Sequence, residues 1–279
     1  MGLRVNTNVA SLNAQRHLYN STVGLQKSME RLSSGLRINR SGDDAAGLAI
    51  SESLKSDIRA LQQASRNAAD GVSLVQVAEG SLDEVNNILL RLRELAEQAA
   101  TETLGAEERD YLNNEFQQLM DEVDRISITA EFNGIMLLDG SAFTLDVQVG
   151  IGTDTTTSTV PIDLNQEMNT TELLLVGETL AGVDGTAALS AMSRVMEATA
   201  IVSQVRAGFG AAQNRLETSI RNIGMTAENL AAANSRIRDV DIAFETSNMT
   251  SLQILQQAGV SILSQANMTS QLALNLLQG

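Results

Sequence analysis

Residues 30–51 read ERLSSGLRINRSGDDAAGLAIS, with Gly35, Gly42 and Gly47 set among serines, an asparagine and two adjacent acids. A loop that cradles phosphate needs tightly spaced glycines after a strand and before a helix. Here no GxGxxG or GK[ST] occurs, the preceding residues carry a helical pattern, and Asp43 and Asp44 would repel an anion. Ser41 and Asp44, three apart, fit a capping box. The stretch therefore reads as a joint between two helices: Gly35 and Gly42 end the first and allow a change of direction, and Ser41 starts the second. A fold built from long helices follows, with a near-neutral terminal segment divided from an acidic body.

On either side of the joint, apolar residues recur at alternating steps of three and four, the pattern of coiled-coil packing. Before it come Val5, Val9 and Leu12, then Leu25, Met29, Leu32 and Leu36. After it, Ile50, Leu54, Ile58 and Leu61 lead into a seam from Val75 through Leu82, Leu89 and Leu92 to Ala99. Leu112, Phe116, Leu119, Val123 and Ile126 form a third seam. The fourth and longest runs from Val195 to Ile237, interrupted by Arg206, Gln213 and Asn234. These three are either register or partner-choice devices, or positions turned toward solvent where the helix rotates relative to its neighbours. A fifth seam lies in the tail, through Leu252, Leu255, Ile262, Ala266, Ala273 and Leu276.

One region reads as strand. FNG at Phe132–Gly134 signals a turn. Phe143, Leu145, Val147 and Val149 alternate with polar residues, and after the loop GTDTTTST so do Val160, Ile162 and Leu164. A β-hairpin is expected near 143–164, with Pro161 at an edge. Residues 177–187, GETLAGVDGTA, read as a flexible joint before the fourth helix.

The 279 residues carry a formal charge of −15, which argues against nucleic acid or an anionic membrane as partner. That charge sits in the middle: Thr246–Gly279 contains no Asp, Glu, Lys or Arg, and the first 29 residues contain no acid. There is no Cys, so disulfides and thiolate metal sites are excluded; no Trp, and only five Phe and two Tyr, so a compact aromatic core is not expected. The chain lacks a run of 18 uncharged apolar residues and a signal-peptide core near its start, so any exit from the cell is expected to use a route without a standard cleaved signal. The single histidine, His17, rules out HExxH and leaves a serine triad no other base; GxSxG is absent. An enzyme is not expected, nor a metal or cofactor.

An isolated helix of the length of the N-terminal segment is marginal in water, and a few buried aliphatic side chains do not offset the ordering of its backbone. The ends are thus expected to be poorly ordered alone and to fold when many copies pack together. The middle helices, with their longer seams, form a bundle able to stand by itself.

VNTNVASLNAQRHL, LSSGLRINRSGDDAAGLAIS, RNAADGVSLVQVAEGSLDEVNNIL and RLRELAEQAA in the first half resemble bacterial flagellin. So do GAAQNRLETSIRNI, ENLAAANSRIRDVDIAFETSNMTSLQILQQAGVSILSQAN and the closing LNLLQG. The resemblance spans nearly the whole chain and implies a mainly α fold, a long-helix bundle or coiled coil with one small β-hairpin and paired N- and C-terminal helices. Residues 1–42 and 236–279 would be the two parts of an inner-tube domain and 43–235 an outer-tube body, in a short form without the variable outer domain.

The implied function is a self-polymerising subunit of the extracellular flagellar filament, serving motility and exported unfolded by the flagellar type III apparatus. Its partners would be further copies of itself, an export chaperone on the C-terminal helix, the filament cap and hook-associated proteins, with no nucleic acid, membrane or cofactor. The inner-tube assembly residues would be Val5, Val9, Leu12, Leu25, Met29, Leu32, Leu36, Leu252, Leu255, Ile262 and Leu276, and the joint Gly35, Ser41, Gly42 and Asp44. Arg91, Leu95 and Glu115 match the pattern read by a host innate-immune receptor. The uncharged tail residues would face the tube lumen, and Thr155–Thr159 would offer glycan acceptors. Two rivals share parts of this pattern: a junction protein between hook and filament, and a chemoreceptor-type signalling coiled coil, against which the glycine joint and the hairpin both argue.

Overall fold

The computed structural model describes residues 7–141, 144–182 and 184–278, with side chains through Met268. Its elements are α1 (Val9–Ser34), α2 (Ala45–Ala99), α3 (Ala106–Thr129), β1 (Glu131–Phe132), β2 (Ile135–Met136), β3 (Thr144–Gln148), α4 (Thr155–Ser158), β4 (Thr159–Asp163), α5 (Thr186–Arg238) and α6 (Ile242–Gln278). The chain gathers into two compact units, a body of Asp57–Glu228 and a terminal unit of Met1–Ser56 with Asn229–Gly279.

The body holds the continuous apolar core. From α2, Val75, Ala78, Leu82, Val85, Leu89, Leu92, Ala96 and Ala99 are all fully buried, the seam expected from their spacing. Phe116, Met120 and Val123 of α3 close one side. Along α5 the buried positions are Ala188, Ala191, Val195, Ala198, Val202, Val205, Phe209, Ala212, Leu216 and Ile223. Alanines in that row bring helix backbones close, in place of the missing aromatics. Arg206 sits at the seam's edge, 3.1 Å from Asp83 and 3.7 Å from Glu79 of α2. It faces neither the core nor open water, because Val205 takes the inward position beside it.

In β3–β4 the antiparallel register pairs Leu145 with Ile162 and Val147 with Val160, and Pro161 stands opposite Asp146. Val147, Val160 and Ile162 are buried while Asp146 and Pro161 are exposed, the period-two alternation read in the sequence. Phe143 lies outside the described residues. FNG makes a second small ribbon: β1 and β2 pair around Asn133 and Gly134, both with positive φ (52° and 79°), as a two-residue hairpin turn requires. The threonine-rich loop contains the single helical turn α4, started by Asp154, whose carboxylate accepts the Thr156 N–H at 3.0 Å.

Residues 170–180, which include the start of the joint expected at 177–187, are tied along α3. Thr170 donates to Asp124 from its backbone (2.7 Å) and its hydroxyl (2.9 Å). Gln117 donates to the Glu178 carbonyl and Asn113 accepts from the Leu180 N–H. Arg109, 1% exposed, donates to the carbonyls of Ala99 (2.9 Å) and Thr101 (3.0 Å). Its guanidinium thus stops α2, meeting the unpaired carbonyls of a helix C-terminus. No seam-based reading anticipates a buried arginine here, because its partners are backbone atoms.

Candidate assembly site

The terminal unit is built on one antiparallel helix pair. α1 and α6 meet along their length at small or polar positions: Gly24 against Leu252, Gly259 against Leu18 and Thr22 against Gln256. A Cβ on Gly24 would lie 3.3 Å from the Leu252 methyls. Asn8 donates to the Ala266 carbonyl and Ser11 to Asn267, each at 2.9 Å. Near the end of the pair where α1 stops and α6 starts, the buried Ser28 hydroxyl donates to the Glu245 carboxylate at 2.5 Å, and Arg31 lies 3.5 Å from the same group. Glu245, 3% exposed, is the last charged residue of the chain. A buried carboxylate with fixed partners pins the register of a pair whose apolar contacts alone would permit sliding.

Both chain breaks of this unit lie at one place. Gly35 ends α1 in the left-handed region, φ 71°. Asp239–Asp241 separate α5 from α6. The two are stitched as a short bridge: Arg37 N–H donates to the Arg238 carbonyl (2.6 Å) and Val240 N–H to the Gly35 carbonyl (3.0 Å). The Arg37 guanidinium donates to the Ile237 carbonyl at the end of α5 (2.6 Å). Asp241 opens α6 by accepting the Phe244 N–H (3.1 Å).

The cap that opens α2 is Asp44, not Ser41. The Asp44 carboxylate accepts the Gly47 N–H at 2.8 Å and its carbonyl the Leu48 N–H, so the helix begins at Ala45. Asp43 turns the other way: it accepts from the Asn39 and Arg40 backbone and sits 2.7 Å from Lys27 of α1. The Lys27 ammonium, then the Asn39 N–H, hold this carboxyl down to about 2 from an ordinary 3.8. Asn234 of α5 accepts the hydroxyl proton of the fully buried Ser51 (2.7 Å). It is a paired contact rather than a residue turned to water.

The expected assembly residues fall into two sets. Leu25 is buried between the paired helices, and Leu32, Leu36 and Leu252 are half-buried. Val9, Leu12, Met29, Leu255 and Ile262 stand 65%, 53%, 45%, 53% and 60% exposed. Val5 and the Leu276 side chain lie outside the described residues.

Val9 and Leu12 thus do not continue the Leu25 seam. With Tyr19 and Val23 they form a separate stripe at steps of three, seven and four, on the face of α1 away from Ser11, Ala14 and Leu25. On α6, Phe244, Leu255 and Ile262 form an exposed stripe beside the α1 contact. Ser247, Thr250, Gln257, Ser261 and Ser264 occupy the face away from it, with the exposed Ile254 and Met268 among them. One helix pair therefore presents unpartnered apolar stripes and an uncharged, mainly polar face.

In the body, Arg91 donates to Glu115 at 2.8 Å and to Glu94 at 3.1 Å. The two carboxylates, Glu115 first, raise the Arg91 guanidinium above its ordinary value. Leu95 points into the core at 1% exposure, which leaves Arg91 and Glu115 as the surface members of that trio. Among the described residues no group of His, Cys, Asp and Glu has the arrangement of a metal site, and no helix is long and apolar enough to cross a membrane.

The bacterial flagellin N-terminal helical region matches residues 5–142 and the flagellin C-terminal helical region residues 182–277. The chain belongs to the bacterial flagellin family. It is 46% identical over 275 residues to a flagellin of Halalkalibacterium halodurans, covering 98% of this chain and 99% of that one. It is 41% identical to the flagellar filament 33 kDa core protein of Treponema phagedenis, at 98% and 99% coverage. A Vibrio parahaemolyticus structure described as flagellar hook-associated covers 71% of this chain and all of its own at TM-score 0.59. At 15% identity that similarity concerns the fold alone. This flagellin is a structural subunit of the flagellar filament, in a family of filament proteins rather than enzymes. Near-equal length with the H. halodurans flagellin, and a chain that passes from β4 to α5 within twenty-odd residues, make it a short form.

Proposed function

We propose that the α1–α6 pair is the polymerisation site, and that its exposed stripes are covered by further copies in the filament. One observation carries this reading: the terminal unit exposes Val9, Leu12, Tyr19, Val23, Phe244, Leu255 and Ile262 together, while the core cluster of buried side chains draws all its members from the body. A monomer gains little from so thin a ribbon, and a polymer gains the burial of every stripe. In this reading residues 1–42 and 236–279 line an inner tube and 43–235 form the outer one. Gly35, Ser41, Gly42 and Asp44 belong to the joint between α1 and α2.

The same stripes give an export chaperone an apolar helix face to shield before assembly, and the cap and hook-associated proteins a surface of the same chemistry at the filament's ends. The filament lies outside the cell, its subunits delivered through the lumen. The Arg91–Glu115 pair is the contact offered to a host innate-immune receptor. Purified protein alone should polymerise into long hollow filaments visible by electron microscopy. A preparation that stays monomeric under all seeded conditions, or stops at short caps as a junction protein would, contradicts the reading.

A further inference from the structure

An apolar groove in the body is lined by Leu74, Phe132, Leu145 and Val147 and carries Asp70 and Asp146. Gly71 allows it, since a Cβ there would lie 3.1 Å from a Val147 methyl. Among the described residues neither Asp70 nor Asp146 has a cation within 4 Å. The groove therefore combines apolar walls with two uncompensated carboxylates.

Asp57–Glu228 contains twenty-seven acids and ten arginines with no lysine, net −17, against nine bases and seven acids, net +2, in the terminal unit. Copies brought side by side through their bodies repel unless cation meets anion. Five arginines are already paired with carboxylates on their own chain, and Arg109 is buried on carbonyls. Arg59, Arg66, Arg93 and Arg215 lack a carboxylate partner among the described residues. Of these only Arg93 has an exposed large apolar side chain three or four positions away on its helix: Leu90, 47% exposed.

We propose that this groove receives the Leu90–Arg93 knob of a second copy, with Leu90 on the apolar walls and the Arg93 guanidinium on Asp70 and Asp146. Arginine suits such a place because its stem packs on apolar surface while its planar head binds carboxylates in pairs. A chain cannot fill its own groove: positions 70 and 93 lie on one helix, about 35 Å apart along its axis. The contact is head-to-tail, and a head-to-tail contact that does not close makes an open polymer.

The proposal rests on the filament-subunit reading, and seeded elongation of purified protein from sheared filament fragments tests it. Asp146→Arg and Arg93→Asp should each slow elongation about tenfold or more, with the monomer's thermal unfolding unchanged because both side chains are exposed. The double variant should return to within about threefold of native. Single variants that elongate like native protein overturn the proposal. So does a loss that the double exchange leaves uncorrected, which assigns the groove to another occupant. Native protein that fails to elongate defeats the filament reading instead.

Discussion

At Asp43 one carboxylate joins the loop after α1 to α1 itself, through Lys27. Its value in the fold, about 2, lies below the ordinary 3.8. The contribution is therefore complete above about pH 4 and disappears as pH falls through about 2. Asp43→Asn lacks it, so the difference in filament melting temperature between native and variant should be present near pH 6 and shrink steadily toward pH 2. A constant gap would show that the Lys27 contact does not titrate with the fold. Gly185 is a second sensitive point, of steric origin. A Cβ there would lie 2.5 Å from the Ala100 carbonyl oxygen, backbone that cannot rotate aside. Gly185→Ala should cost about 1–3 kcal/mol in monomer unfolding. A neutral result would mean the α2 and α5 ends part easily.

Between elements, the two units should respond differently to the same kind of change. Leu89 is fully buried in the body, and Leu89→Ala should cost the monomer about 2–5 kcal/mol. Leu25 is buried only between α1 and α6, and Leu25→Ala should leave the monomer's main transition in place while lowering filament stability. Equal losses in the monomer would make the terminal pair an independent fold. The uncharged face of α6 offers a test of transport: Lys at Thr250, Gln257 and Ser261 should slow filament growth without blocking assembly, and unchanged growth counts against a lumenal face.

The helices and the hairpin, with its inward and outward faces, were legible because burial on one side repeats at 3.6 or 2 residues. Less legible were features that depend on partners far away in the chain. Ser41 looked like a cap by spacing, but Asp44 sits where its carboxylate reaches the Gly47 N–H. Val9 and Leu12 share a period with Leu25 yet face another way, because a helix with two apolar stripes does not say which one its neighbour covers. Glu245 and Arg109, both charged and both buried, gave no periodic signal at all.

For the molecule as a whole, the apolar core and the proposed assembly site fall in two parts of opposite character. The body holds the core and nearly all the negative charge. The terminal unit is near neutral, thin, and pinned by polar contacts that fix register more than they add stability. Division of this kind suits the proposed polymerisation site, which becomes rigid once further copies cover it. Amide hydrogen exchange on dilute monomer and on filaments, followed residue by residue, addresses it most directly. In the monomer, amides of 57–228 should be strongly protected and those of 9–34 and 242–268 should exchange fast, with protection of both helices appearing only in the filament. Slow exchange along the full length of α1 and α6 in the dilute monomer would contradict the account.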